Sequence, residues 1–535
     1  MNATILQARD SKILFIVSLA TSLLAFSIFL LFGVPSVEDQ LGLLKVFPSD
    51  SFGDFFTTTM KDQFNIYGSP LTSKTDIYRP FFEITFWIDE GISRALGINF
   101  YKWSNVIYFL LSIFVFSLFV NEYLGLKYAV LAILIFAVHF GHVHSQYSYV
   151  NRLGVLSCLY IFSILYLLLQ LLKRQKLYKV LLIYLLSVLL ILTKEIGVIV
   201  FMLPGFAFIL YVFLHKLDLQ VELKKNLRFL VLHTAGLFAL VIAYLLLRMQ
   251  LFDGFGNYHP GASISGIMLN LLMACQLTTG LKLMYVAFAL PAILFLGYKF
   301  YESENKILLL LIFTLIIGLY GPSLLYSVGK RYSSASGMIF IFFFLYFLRE
   351  VKINSRRWLL LASLAVPMAV QAIDIKIKQL AVFQVRPILE QQLSDLTLSA
   401  DTIAVIMPMY LNDESILYKN GIIEYLGTLP NFQDKAVVVL GVMHDSKKYY
   451  LLGETKQAYA IEVVREDNQV VVNYPEDARF DIPHLPRKIL EFDNKFFLYK
   501  NDPAQHKVTF DMKFDNFEVL YFEKLDYDKF EFTVL

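Results

Sequence analysis

Residues 180–215 read VLLIYLLSVLLILTKEIGVIVFMLPGFAFILYVFLH. Two apolar runs, 180–193 and 196–215, flank a single charged pair, Lys194-Glu195, with almost no loop between them. An amphipathic surface helix returns polar residues to one face every turn, and neither run does so. A bilayer core of about 30 Å takes roughly 20 apolar helical residues, so runs of this kind belong in a membrane. The charged pair then marks a reversal of the chain at a membrane face.

The same pattern recurs on both sides of this stretch, as far as Ile375. Spans are read at 13–33, 104–120, 128–142, 152–172, 180–193, 196–215, 229–247, 281–298, 307–326, 335–348 and 359–375, about eleven in all. The first has no small-residue cleavage site and is read as a retained span, not a signal peptide. Composition agrees: the 535 residues are 57% hydrophobic and 17% charged, against about a quarter charged in soluble domains. The mean hydropathy is +0.58. Disordered, collagenous and coiled-coil classes are excluded. A net charge of +3 gives no reason to expect a nucleic-acid partner. Cys158 and Cys275 lie far apart in apolar surroundings, so neither a disulfide framework nor a cysteine zinc site is available.

Lys and Arg concentrate in cytoplasmic loops. With the N-terminus inside, the inside connections hold Lys173, Arg174, Lys176 and Lys179, then Lys216, Lys224, Lys225 and Arg228, then Arg349, Lys352, Arg356 and Arg357. An odd number of spans places residues 376–535 outside. Two domains are therefore expected: 1–375 in the membrane, with a long first outside loop at 34–103, and 376–535 as a soluble extracytoplasmic domain. Within the loop, Phe81–Leu96 (FFEITFWIDEGISRAL) mixes large apolar residues and acids at helical spacing. That predicts an amphipathic helix lying in the interface. In the tail, Thr402–Met407, Ala436–Val442, Ala458–Val464, Val470–Tyr474 and Phe517–Phe522 are short β-prone runs separated by turn residues. They predict a β-rich or α/β domain.

The residues able to carry chemistry gather on the outside face of this topology. Glu38-Asp39 follows the first span. Adjacent carboxylates at a membrane surface raise one another's pKa, which suits a general base, and a solvated loop end is the plainer reading. Tyr78-Arg79-Pro80 precedes Glu83, Asp89 and Asn105. An arginine on a proline turn presents its fork to a phosphate or snorkels to headgroups. His139, His142 and His144, with Asn151-Arg152 beyond, end the third span. They suit hydrogen bonding to phosphate or sugar better than metal binding, because no carboxylate lies among them and i, i+5 residues do not share a helical face. Lys194-Glu195 is costly at that depth unless satisfied, whether by a ligand or as an ion pair closing the turn. Lys330-Arg331-Tyr332 runs against the positive-inside trend, which points to an anion held there, a phosphate or bulk headgroups. No P-loop, dinucleotide fingerprint or nucleophile elbow occurs.

Taken in order, VEDQ, YRPFFEITFWIDEGISRALGINFYKWSN, HFGHVHSQYSYVNR, TKEIG and GKRYSS resemble the motif series of the glycosyltransferase C (GT-C) superfamily. The likeness is to its polyprenyl-phosphate-sugar-dependent branch, which includes protein O-mannosyltransferases and bacterial relatives, and it covers residues 1–375. The resemblance implies a polytopic helical fold with an outward-facing active site and inverting transfer from a lipid-phosphate sugar. On it, Asp39 matches the catalytic carboxylate of the first loop, with Glu38 as its neighbour. Arg79, Lys194 and Arg331 fall where the family gathers cations around the donor phosphate. His139 and Arg152 match its histidine and arginine, and Tyr78, His142, Glu195 and Tyr332 join them as supporting residues. Phe140 and His144 depart from the pattern, which has proline and an acid at those places.

The expected partners are the bilayer, a polyprenyl-phosphate-linked sugar and an acceptor glycan, lipid or protein, without metal or other cofactor, since two or three cations neutralise a monophosphate leaving group. A transporter or flippase for a lipid-linked or anionic substrate is the alternative, and it predicts repeated halves and charges near the midplane. The sole N-x-S/T, at Asn2, falls inside in this topology, which favours a bacterial inner membrane with the active site and tail in the periplasm.

Overall fold

The computed structural model describes residues 2–32, 80–98, 100–139, 152–252, 283–303 and 333–408, with short pieces between 267 and 281 and at 306 and 309–310. Beyond 408 it describes 429–432, 435–444, 462–466, 469–473, 478–481, 489–492, 495–502, 507–512, 517–525 and 530–534. The chain forms two compact units, one of residues 1–30 and 76–374 and the other of 31–75 and 375–535.

The first unit is helical. Its helices are α1 (Asn2–Ala25), α2 (Ser27–Phe32), α3 (Pro80–Leu96), α4 (Phe100–Leu124), α5 (Leu126–Ala137), α6 (Arg152–Lys173), α7 (Leu177–Thr193), α8 (Leu203–His215), α9 (Leu219–Phe252), α10 (Leu283–Glu302), α11 (Ser333–Glu350) and α12 (Asn354–Ser394). Among the described residues, five stretches are long and apolar enough to cross a membrane: Trp103–Leu124, Arg152–Lys173, Gly197–His215, Leu219–Leu247 and Asn354–Ile377. Leu126–Ala137 and Leu177–Thr193 are shorter apolar helices. The core between α4, α5 and α6 is aromatic: Phe116 packs on both Phe136 and Phe162, and Phe109 stacks on Phe136 at 6.0 Å.

Local chemistry sets the ends. Proline opens α3, where its missing N–H costs nothing. Gly97, at φ +63°, closes it, and the Ile98 N–H bonds back to the Ser93 carbonyl at 3.2 Å. This is a Schellman closure. Gly125, at φ +90°, reverses the chain between α4 and α5 in a single residue.

Several spans differ from the sequence reading, the first being interrupted at Phe26 and the last lying within the longer α12. The third, read as 128–142, leaves helical geometry after Ala137. The sixth, read as 196–215, is two segments, a 3-10 helix over Glu195–Met202 and α8, because Pro204 cannot supply the N–H of a continuous α-helix. The seventh begins ten residues before Phe229, since the charged run Lys224–Arg228 is helical and Asp218 caps it through the Val221 N–H at 2.8 Å. Most of the ninth, 307–326, lies outside the described residues.

The second unit takes the last part of α12 and two five-stranded sheets. β1 (Thr402–Pro408), β2 (Ala436–His444), β5 (Ala478–Asp481), β9 (Phe517–Leu525) and β10 (Phe530–Val534) form one, in the order β10-β9-β1-β2-β5. β1 is central and parallel to both β2 and β9. Parallel neighbours need crossover connections, and the chain between these strands is long enough to supply them. β3 (Glu462–Glu466), β4 (Gln469–Asn473), β6 (Ile489–Phe492), β7 (Lys495–Asp502) and β8 (Lys507–Met512) form the other sheet, antiparallel throughout. Val470, Val471 and Val472 are all buried, so β4 is covered on both faces. At the head of the unit, Glu518 accepts hydrogen bonds from the Ser399 N–H and hydroxyl.

Candidate active site

The best-defined polar centre of the helical unit is built on Arg152, the first residue of α6, whose side chain is entirely buried. A buried guanidinium is tolerated only when its donors are satisfied and its charge is matched. Nη2 lies 2.6 Å from Asp89 Oδ2 and 2.8 Å from Ser104 Oγ, and Nε donates to Asn105 Oδ1 at 2.7 Å. Nη1 reaches Thr85 Oγ1 at 3.2 Å. The Phe86 ring lies below the guanidinium, 4.1 Å from its carbon. Ser104 also donates to Asp89 Oδ2 at 2.6 Å, tightening the same knot.

Helical spacing explains how α3 delivers its part. Phe82, Thr85, Phe86 and Asp89 recur at intervals of three and four, and all are buried. Phe81 meets Tyr160 and Asp89 meets Arg152, so α3 runs antiparallel beside the first turns of α6. The helix expected over 81–96 is present as α3, with Asp89 on its buried face. Asp89 turns into the protein because Arg152 is there to neutralise it. Glu90, one residue on, pairs instead with Arg94 at 2.7 Å and accepts from the Tyr101 hydroxyl at 2.7 Å. Burial pushes the Asp89 carboxyl up, with the Arg152 charge and the Ser104 hydroxyl opposing it, and it stays above the ordinary carboxylate value. Burial and the bond to Glu90 likewise push the Tyr101 phenol up.

A second feature is the reversal at Lys194. This residue is extended, at φ −160° and ψ 147°, and its side chain is buried. The chain then folds back so closely that a Cβ on Gly197 would stand 2.5 Å from the Ile191 Cα and 2.7 Å from its N. Only glycine fits against a neighbouring backbone at that distance. The missing loop between the two apolar runs is thus a consequence of Gly197.

The third feature is His139, fully buried two residues past α5, with Nε2 3.4 Å from the Thr278 carbonyl. A Cβ on Gly280 would lie 2.4 Å from the ring's Cδ2, and one on Gly337, in α11, 2.3 Å from its Nε2, so the ring packs against two glycines from distant elements.

Of the residues singled out in the sequence, the structure brings Arg152 together with Asp89 and Asn105, which come from separate motifs. It leaves His139 and Lys194 buried at positions of their own. Glu195 opens the 3-10 segment. Glu38, Asp39, Tyr78, Arg79, His142, Arg331 and Tyr332 lie outside the described residues. Thr85, Ser104, Gly197, Gly280 and Gly337 were not singled out, although the run Ser-Ser-Ala-Ser-Gly at 333–337 is an unusual concentration of small residues in an apolar helix. No group of three or more His, Cys, Asp or Glu side chains stands close enough to hold a metal among the described residues.

No family model matches the chain, and no curated protein matches it. Among solved structures it is similar to the oligosaccharyltransferase of Archaeoglobus fulgidus, crystallised with zinc and sulfate. The two share 12% identity over 87% of this chain and 74% of that one, with a TM-score of 0.40. A likeness of that extent leaves the functional reading to this chain's own residues.

Proposed function

We propose that the chain is an integral-membrane inverting glycosyltransferase that moves a sugar from a polyprenyl-phosphate donor to an acceptor hydroxyl. The observation that carries this reading is the knot at Arg152. Asp89 and Asn105 belong to the segment beginning Tyr78-Arg79-Pro80, and Arg152 ends the histidine segment. Their closure at one buried centre supports treating the two motifs as parts of one site. Arg152 itself is committed to protein partners and serves the site as a support.

In the reaction, the acceptor oxygen attacks the anomeric carbon as the bond from that carbon to the phosphate oxygen breaks. Asp39, with Glu38 beside it, takes the hydroxyl proton, and the polyprenyl phosphate departs as an anion toward Arg79, Lys194 and Arg331. A single displacement inverts the anomeric configuration. Tyr78, His139, His142, Arg152, Glu195 and Tyr332 support the cavity, and the site opens to the periplasmic side of a bacterial inner membrane, where the 376–535 domain also lies.

The test uses purified protein in lipid nanodiscs with a panel of labelled polyprenyl-phosphate sugars, beside an Asp39→Asn variant of matched thermal stability. Wild-type release or transfer of one sugar is expected, and the variant should lose at least about a hundred-fold in rate, as removal of a general base does. If no donor in the panel is bound, the transferase reading is abandoned in favour of transport.

A further inference from the structure

Helix α6 has 22 residues, a length of about 33 Å, close to the thickness of a bilayer core. Its last residue, Lys173, therefore meets the membrane face opposite to Arg152. Side-chain contacts gather other helix ends there. Lys173 binds Glu122 near the end of α4, and the Arg349 guanidinium of α11 donates to the Tyr123 carbonyl at 2.9 Å. The Tyr123 ring lies 6.0 Å from that of His215, the last residue of α8. Lys127, in the first turn of α5, stands over the Trp358 ring of α12, with Nζ 5.7 Å from the ring centre.

The cations of this face fall into two sets. One set is committed to the protein: Arg357 donates to the Val351 and Arg349 carbonyls across the turn between α11 and α12, and Lys179 donates to the Gln170 carbonyl at 3.1 Å. The other set, Lys127, Arg174, Lys176, Lys216, Lys352 and Arg356, is exposed. Among the described residues none of these six has an acid within ion-pair distance. Helices α5, α7 and α12, which open on this face, carry no acid in their first turns either. Two of the six stand over aromatic rings that are themselves uncovered: Lys127 over Trp358, 56% exposed, and Lys176 over Tyr178, 58% exposed. Trp and Tyr at the end of an apolar helix sit at headgroup level. There the ring covers the top of an acyl chain and the cation beside it faces phosphate.

We propose that this face binds anionic phospholipids, with the Lys127–Trp358 pair as a headgroup site in which the ammonium group holds the lipid phosphate and the indole packs on the lipid below it. The surrounding unpaired cations set the preference for a lipid of net negative charge, since a zwitterionic headgroup brings a cation of its own into the same layer. The site lies at the other end of α6 from Arg152. It does not rest on the reading of the chain as a transferase.

The test uses the full-length protein with Trp87→Phe and Trp103→Phe, so that Trp358, one of three tryptophans in the chain, is the sole indole. The protein is reconstituted in vesicles, and quenching of Trp358 by dibrominated phosphatidylglycerol is compared with quenching by dibrominated phosphatidylcholine at equal mole fraction. Phosphatidylglycerol should be enriched beside Trp358 about five-fold, the effect of one lysine at an anionic surface. Lys127→Gln should bring the ratio close to one, and Lys127→Arg should keep it. Lys224→Gln, which removes the same charge from an exposed position on α9, should leave the ratio unchanged. Equal quenching by the two lipids before Lys127 is altered, or a ratio that survives Lys127→Gln, overturns the site. A fall in Lys224→Gln as large as in Lys127→Gln overturns it as well, because the preference then belongs to the diffuse charge of the face. Loss of the preference on adding inorganic phosphate at constant ionic strength assigns Lys127 to a soluble anion and overturns the lipid reading.

Discussion

Helix α6 carries an ion pair at each end, and the two have the same length. Arg152 meets Asp89 at 2.6 Å, and Lys173 meets Glu122 at 2.6 Å. At the first end both side chains are 0% exposed; at the second they are 34% and 22% exposed. Glu122 is partly exposed and accepts two further bonds from Gln170, at 2.9 and 2.7 Å. Distance therefore says little about what a charge pair contributes. A desolvated charge has lost its hydration and depends on every partner it retains, whereas an exposed one exchanges a neighbour for solvent at little cost. The end of the bundle bearing the candidate site is the one built from costly, mutually dependent contacts.

That contrast can be broken most directly at Arg152. Arg152→Met leaves Asp89 buried without its countercharge, and thermal unfolding in nanodiscs should register a loss of about 3–5 kcal/mol. Asp89→Asn on the same background should return most of it. If Arg152→Met alone melts with the wild type, the pair is not desolvated as described. A smaller effect is expected at the Lys194 reversal, where Gly197→Ala forces a methyl into the backbone of α7. The loss there should be about 1–3 kcal/mol, because backbone cannot rotate out of the way. Gly205→Ala, at a helical position with open space around the added carbon, is the matched control and should not lower the melting temperature. The least effect belongs to the exposed pair. Glu122→Gln should cost less than about 1 kcal/mol, and that difference should shrink further in high salt. A loss at Glu122 as large as at Arg152 would erase the distinction between the two ends.

The reach of sequence reading follows the same division. The limits of α3 were legible because Pro80 and Gly97 act on the chain within a residue or two. The direction in which Asp89 points was not, because it depends on Arg152, sixty-three residues further on. Periodicity showed that α3 has two faces without showing that a countercharge waited beneath one of them. The three histidines read as a set from their spacing, yet His139 is defined by Gly280 and Gly337, which lie in other elements. In the tail, β1, β2, β4 and β9 coincide with β-prone runs that their own residues announce. The parallel placement of β1 between β2 and β9 depends on pairing across long separations and left no local mark.

By itself, then, the sequence determined the class of solvent: runs of apolar residues too long and too uniform for water, broken by charges at intervals that set the reversals. Hydropathy is a sum over neighbouring residues, so it can be read along the chain. The tertiary structure alone decided which polar groups are satisfied, that Arg152 closes on Asp89 and Asn105, and that the His139 ring lies between two glycines. Those outcomes depend on contacts between residues tens to hundreds of positions apart, where burial strengthens each interaction and no local pattern records the partner.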